Sequence, residues 1–442
     1  MDLKTLGSSE IKLAIVGPQL IDGVRPEPLP SCVVLIDRGG RIVDAGAPQE
    51  INVPEGVPTL EARGMTLMPG LIDGHVHIAW DKTLYTVSPT DGFQGHLRPP
   101  NAEHELVRAG HHVQMALAAG VTTLRDCGSD DFGIVALRDA ISAGDFTGPR
   151  ILASGRPVTP STGHLYSGWS ANNASEIRSA VHYLDECKVD FIKLVVSGGM
   201  TTPRTNITGT QYTLEEIRVA VEAAHDVGLQ VAAHAISTTS ILLAAEAGVD
   251  TIEHCSWIST DPRQAVPDET AVDWMVKNGV HVDHAVMPRL ALFPDEWKEP
   301  PNPDEAWWWK LLRVRWPFLR HMQERGICVF IGTDAAFGPW PGTKLWPGFQ
   351  DLARAVEVFV RHGGFRPMAA IQMITREPAR GLRLDGEIGT IQPGKRADLI
   401  LLKGDPLKDI RALREAEMVF RDGRLVAQRG QLVLHEARAA QR

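Results

Sequence analysis

The chain has 442 residues, of which 43% are hydrophobic and 22% are charged, and these are ordinary values for a globular protein. Its net charge of -9, without any basic run, disfavours a nucleic-acid partner, because phosphate binding needs clustered Lys and Arg side chains. The five cysteines are scattered and include no C-x-x-C pair, which disfavours both a disulfide framework and a structural zinc knuckle.

The start of the chain, MDLKTLGSSEIKLAIVG, lacks the positive start and long apolar core of a signal peptide. Apolar runs also stay below the roughly 18 residues that a membrane span requires. We therefore expect a cytoplasmic protein without a membrane partner. Since closed homo-oligomers are common among enzymes, we expect a homo-oligomer as well.

The two ends of the chain are predicted to be rich in β-strands. Residues 1–65 contain short apolar runs, KLAIVG, CVVLID and GRIVDAG, bounded by Gly, Pro and Asp. Residues 385–442 repeat this pattern, and Asp422-Gly423 is a plausible centre of a hairpin turn there. We predict that both ends together form one small β-sandwich.

The middle of the chain, residues 66–384, alternates apolar runs with amphipathic stretches. Leu214, Ile217, Val221 and Ala224 fall at helical spacing in one such stretch. The apolar runs number eight: 67–73, 121–126, 150–155, 190–196, 229–234, 250–254, 280–286 and 328–334. Eight strands alternating with helices predict an α/β fold, a (β/α)8 TIM barrel, and mostly apolar runs suit strands buried on both faces.

Polar side chains stand at the ends of five predicted barrel strands. His75 and His77 follow the first strand, and side chains two apart on a strand share a face. The other strand-end residues are Lys193, His234, His254 and Asp334. Catalytic groups of such barrels lie at the carboxyl ends of the strands. Because unpartnered burial of so many polar groups is costly, a shared metal centre is indicated.

Each of these residues has a simpler interpretation when it is considered alone. A strand-end histidine can be a hydrogen-bonded core residue, Lys193 a surface lysine or a Schiff-base nucleophile, and Asp334 a helix N-cap. Their joint position at strand ends favours the metal centre. His75 and His77 would bind one ion and His234 and His254 another.

Lys193 lies between these pairs. A protonated lysine cannot bind a cation, whereas a carbamate on its amine could bridge two cations through its anionic oxygens. Such ligands suit two divalent ions, Zn2+ first, with Mn2+, Co2+ or Ni2+ as alternatives.

The motifs together resemble the amidohydrolase superfamily in its binuclear branch, and within it the imidazolonepropionase-like and Xaa-Pro dipeptidase-like enzymes. The resemblance rests on PGLIDGHVH, FIKLVVSGG, AAHA, TIEHC, GTDA and IGTIQPGKRADLILL. It implies that Asp334 joins His75 and His77 on the first ion, that His234 and His254 hold the second, and that carboxylated Lys193 bridges them. It also implies a proton-transfer role for Asp334.

Two further residues follow from the resemblance. His164, in STGHLYSGW, matches a position where the family often has a histidine that meets the substrate. The family often has HAY after strand five, whereas this chain has HAI with Ile236. Tyr212 is the candidate replacement for that tyrosine as a substrate contact.

The implied reaction is hydrolysis of an amide-type C–N bond in a small-molecule substrate by a hydroxide that bridges the two ions. Arg204 and Arg289 lie in loops at the catalytic end, and either could bind a substrate carboxylate. That would favour an N-acyl amino acid or an Xaa-Pro-like dipeptide. A Trp-rich loop containing Trp340 would instead favour neutral aryl amides, carbamates or phenylureas.

Other chemistry on the same ions also stays open at this point. Lactone and phosphotriester hydrolysis need only an accessible electrophile, and fold does not decide chemistry. A non-hydrolytic binding protein is the remaining class, and the presence of all six expected ligands disfavours it.

Overall fold

The computed structural model describes residues 10–80, 85–88, 92–96, 102–202, 204–285, 307–336 and 348–433. The strands in chain order are β1 Ile11–Val16, β2 Gln19–Leu20, β3 Val33–Asp37, β4 Ile42–Gly46, β5 Thr59–Glu61, β6 Thr66–Pro69, β7 Leu71–Val76, β8 Tyr85–Ser88, β9 Gly92–His96, β10 Val121–Asp126, β11 Arg150–Ala153, β12 Phe191–Val195, β13 Gln230–Ser237, β14 Thr251–Ile258, β15 His281–Ala285, β16 Val329–Gly332, β17 Leu399–Leu402, β18 Ala416–Arg421, β19 Arg424–Gln428 and β20 Gln431–Leu432.

The helices alternate with strands through the middle of the chain. They are α1 Ala102–Ala118, α2 Gly133–Ala143, α3 Ala174–Glu186, α4 Leu214–Asp226, α5 Thr238–Ala247, α6 Glu269–Asn278, α7 Trp307–Glu324, α8 Leu352–Arg361, α9 Pro367–Gln372 and α10 Arg376–Gly381, followed by a 3-10 helix at Ile410–Arg414. The predicted amphipathic helix is α4, which begins at a capping box of Thr213 and Glu216. In the part of the chain that is described, no helix is long and apolar enough to span a bilayer.

Each of the eight predicted apolar runs overlaps a strand, and the α/β alternation is confirmed. The strands form two parallel sheets, one in the order β11-β10-β7 and one running β12-β13-β14-β15-β16. Isolated parallel bridges join the sheets at Val76–Ala335 and Val158–Leu194. Across the described residues these ladders are not one continuous ring of hydrogen bonds, so closure of a barrel stays a prediction.

The first predicted run differs from expectation, because it is split between two sheets at Gly70. Its first part, β6, pairs with β17, whereas its second part, β7, pairs with β10. A side chain at Gly70 would overlap with the side chain of Thr122, so only glycine permits this close crossing. The split fixes the start of the strand that leads to His75.

The terminal strands form two further sheets, β4-β3-β1-β5 and β2-β6-β17-β18-β19-β20. The second sheet mixes strands from both ends of the chain. The two sheets share a buried apolar cluster that includes Ile15, Val34, Leu67, Leu399 and Phe420. The β-sandwich packing and the exact domain boundaries stay predictions.

The hairpin predicted at Asp422-Gly423 connects β18 to β19, where Arg421 pairs with Arg424. Asp422 and Gly423 have φ values of 50° and 65°, as a two-residue turn of this kind requires.

Candidate active site

Three predicted ligands converge where β7 and β16 end. His75 and His77 place their Nε2 atoms 3.6 Å and 3.7 Å from Oδ1 of Asp334. One ligand atom from each of these residues lies within 4.8 Å of the others. The H-x-H pair therefore points at a common position, as its spacing predicts.

The backbone locks these two strand ends together. The amide of Asp334 donates to the carbonyl oxygen of His75 at 2.8 Å, and the amide of His77 donates to that of Ala335 at 2.7 Å. Buried Asp73 accepts hydrogen bonds from the amide and the hydroxyl of Thr333, next to Asp334. The positions of the three ligands thus depend on paired backbone rather than on free loops.

Five buried histidine rings form a continuous row through the site. Successive ring centroids are 5.4, 4.9, 4.6 and 4.5 Å apart along the order His77, His75, His254, His234 and His164. Burial lowers the pKa of all five imidazoles, to about 3 for His75 and His164. Neutral imidazoles are the form that binds metal ions.

Lys193 lies within this centre and is fully buried. Its ammonium contacts the carboxylate of Glu253, which is also fully buried. Burial raises the pKa of Glu253, but Lys193, with His75 and Arg125, outweighs burial and lowers it overall. The amine of Lys193 is therefore held by its ion pair with Glu253.

Burial raises the pKa of Asp334 to about 8, although the ammonium of Lys193 opposes this rise. An adjacent cation would return such a carboxyl group to its ionised form. Asp334 and His254 also have left-handed backbone conformations, with φ values of 54° and 63°. Such strain in residues other than glycine persists only where the surrounding structure imposes it, and it is common at functional sites.

The arrangement fits a bound divalent cation. Among the described residues, no hydrogen-bond partner contacts buried Nε2 of His75 or Nδ1 of His254, and unsatisfied buried polar atoms are costly. Nδ1 of His77 lies 2.9 Å from the carbonyl oxygen of Gly128, which leaves Nε2 as the ligand atom. His234 differs, because its Nε2 lies 3.1 Å from the carbonyl oxygen of Gly198.

The remaining predicted site residues are placed as follows. His164 is buried, with Nδ1 2.8 Å from the hydroxyl of Thr202. Arg204 is exposed, with a φ of 66°. Tyr212 is buried in the core and its hydroxyl donates to the carbonyl oxygen of Ala171 at 2.7 Å. Arg289 and Trp340 lie outside the described residues, and the substrate contacts of all these residues stay predictions.

A buried charged layer, which was not predicted from the sequence, lies beneath the histidines. It consists of Glu253, Arg125 and Asp283, on β14, β10 and β15. Arg125 donates to Asp283 at 2.8 Å and lies 3.8 Å from Glu253. A signal was present, because each of these charged residues interrupts an apolar run predicted to be buried on both faces.

The chain is similar to known proteins over most of its length. A model of the amidohydrolase family matches residues 66–426. Ochratoxinase from Aspergillus niger is 27% identical over 383 residues, which cover 80% of this chain and 73% of that protein. Imidazolonepropionase from Mesorhizobium japonicum is 26% identical over 439 residues, covering 91% and 92%.

Among solved structures, a Xaa-Pro dipeptidase with methionine bound in its active site is similar to the described fold. Its TM-score is 0.76 at 27% identity, with 93% of this chain and 99% of that chain covered. Together with the match of the family model over most of the chain, this likeness confirms the resemblance inferred from the motifs. The chain belongs to the amidohydrolase family and is an enzyme that acts on carbon–nitrogen bonds.

Proposed function

We propose that this enzyme is a binuclear metal-dependent hydrolase that cleaves the amide-type C–N bond of an N-acyl amino acid or an Xaa-Pro-like dipeptide. The observation that carries the proposal is the convergence of the Nε2 atoms of His75 and His77 on Asp334, at 3.6 Å and 3.7 Å. The 27% identity to a Xaa-Pro dipeptidase supports the substrate class. The proposal includes a closed (β/α)8 barrel and a β-sandwich built from both termini.

Six residues would hold the metal ions. His75, His77 and Asp334 would hold one ion, and His234 and His254 the other, with carboxylated Lys193 between them. Divalent ions, Zn2+ in the first place, would supply Lewis-acid activation of the substrate carbonyl and of water.

The protein's own groups would perform binding and proton transfer. The carboxylate of Asp334 would accept the proton of the attacking water and pass it to the leaving nitrogen. The histidines stay neutral at pH 7, because burial lowers their pKa values. His164, oriented by the hydroxyl of Thr202, would contact the substrate beside His234.

A second substrate class is favoured by one observation. The indole of Trp80 stacks on the ring of His77, with centroids 4.4 Å apart and planes inclined by 7°. A flat apolar wall beside the ligands would suit an aryl group. Neutral aryl amides, carbamates and phenylureas are therefore the second candidate substrates.

The test is a pair of substrate panels offered to the enzyme after loading with Zn2+ or Mn2+. One panel contains N-acyl amino acids and Xaa-Pro dipeptides, and the other contains neutral aryl amides, carbamates and phenylureas. Turnover in the first panel, absent in an Asp334→Asn control, is the expected result. Turnover confined to the second panel would overturn the proposed substrate class, and Trp80→Ala should then raise KM.

A further inference from the structure

The two nitrogens of the His75 imidazole have different surroundings. Nε2 faces Asp334 and has no hydrogen-bond partner in the part of the chain that the structure describes, whereas Nδ1 lies 3.1 Å from Oδ2 of Asp283. A carboxylate at this distance accepts a hydrogen bond from Nδ1–H, and the lone pair of a neutral ring is then on Nε2. Asp283 thus determines which nitrogen of His75 is available as a ligand.

Asp283 is in turn held by Arg125. The guanidinium donates to Oδ2 of Asp283 at 2.8 Å, and its Nε donates to the carbonyl oxygen of Gly74 at 2.6 Å. Phe191 and Phe330 contact the same guanidinium, with ring centroids 5.3 Å and 5.5 Å from its central carbon. Such contacts are typical of a rigidly placed arginine.

The whole arrangement is enclosed. Asp283 is fully buried and Arg125 is 3% exposed. Within the described ranges, Oδ1 of Asp283 has no hydrogen-bond partner, and both His75 and Arg125 contact Oδ2. Because Arg125 bonds to the same oxygen that faces Nδ1 of His75, the position of that oxygen relative to the ring is fixed. The geometry therefore favours a role directed at His75.

We propose that Asp283, held in place by Arg125, is a positioning residue that keeps the proton of His75 on Nδ1 and aims Nε2 at the metal centre. The inference rests on the proposed metal centre. It assigns a function to β10 and β15, neither of which carries any of the six predicted ligands. His77 differs from His75, since its Nδ1 faces a backbone atom, the carbonyl oxygen of Gly128, and not a carboxylate.

The experiment measures metal binding directly, without activity. Metal-free protein is titrated with Co2+ against a chromophoric chelator, and the visible spectrum of the bound ion is recorded. We expect Asp283→Ala to weaken Co2+ binding by about 10–100-fold and to change the spectrum, as the loss of a group that orients a ligand does. Asp283→Asn should restore most of the affinity, leaving a loss of about fivefold, because its oxygen still accepts from Nδ1 but without charge.

The matched control is Asp398→Ala. Asp398 is also buried and paired with an arginine, Arg150, at 3.4 Å, but it lies beside β17. Its loss should lower the melting temperature and leave Co2+ affinity unchanged. Wild-type affinity and spectrum in Asp283→Ala, or equal weakening in Asp398→Ala, would overturn the inference.

Two further outcomes also test the inference. If Asp283→Ala does not fold, Asp283→Asn carries the test, and unchanged affinity in it overturns the inference. If the wild-type protein itself does not bind Co2+, the proposed metal centre fails, and this inference fails with it.

Discussion

Replacing Glu253 with glutamine should destabilise the metal-free protein strongly. The change keeps the shape of the side chain but removes the charge that faces the ammonium of Lys193, and both side chains are fully buried. It also removes attraction to Arg125 across 3.8 Å, worth about 4 kcal/mol at an effective dielectric constant of about 20. Since the cost of burying the Glu253 carboxylate disappears too, we expect a net loss of about 3–5 kcal/mol.

The assay is chemical denaturation of the protein after exhaustive chelation, with the midpoint and slope of each curve measured. Glu215→Gln is the control, because Glu215 pairs with Arg218 on the surface at 78% exposure and should contribute little. An equal, small effect of both substitutions would refute the importance of the buried pair.

The same substitution should be much less harmful after loading with metal and bicarbonate. A carboxylated Lys193 is anionic, so Glu253 would no longer have an ammonium as its partner. If Glu253→Gln lowers the free energy of unfolding of the loaded protein as much as that of the metal-free protein, Lys193 keeps its ammonium and the carbamate is absent.

The other predictions concern the ligands themselves. Asp334→Asn should keep most of its metal, measured by elemental analysis, and lose nearly all turnover, because the proton acceptor is gone; near-normal turnover in metal-replete protein would contradict that role. Lys193→Ala should lose metal and activity, with partial rescue by bicarbonate and a short-chain acid; full metal occupancy in the untreated variant would argue against bridging. Metal-free protein should become less stable in thermal melts as the pH rises from 6.5 to 8.5. Burial raises the folded-state pKa of Asp334 to about 8, so the folded protein keeps a proton that the unfolded chain releases near pH 3.8. The histidines act in the opposite direction only below about pH 6.5. Burial also raises the pKa values of Asp73 and Asp126 to about 7, so Asp334→Asn should reduce the slope without abolishing it. Gly332→Ala should weaken metal binding, because its Cβ would overlap with that of His75; unchanged affinity would mean that the strands adjust freely.

Much of the fold could be predicted from the sequence, because buried parallel strands are marked by apolar runs at regular intervals. The period of a strand predicts that His75 and His77 share a face, although β7 ends at Val76 and His77 lies just beyond it. Side chains at strand ends also share one edge of the sheet, whatever the register. Residues of this kind are predictable without knowing which strand pairs with which.

The charged layer could not be predicted in this way. Glu253 and Asp283 lie opposite each other only because β14 and β15 pair in one register. A shift of one residue would send one of them to the other face. Likewise, the left-handed conformations of His254 and Asp334 depend on local packing, which a pattern of apolar residues does not indicate.

The pairing of β6 with β17 has a consequence for synthesis of the protein on the ribosome. Pro69 pairs with Leu399, which is made 330 residues later. Protein synthesis adds about 5–20 residues per second, so β17 is made on the order of 15–70 s after β6. During that time its apolar edge is open to wrong partners. Because β6 continues through Gly70 into β7, the strand that carries His75 becomes fully anchored only after β17 has left the ribosome.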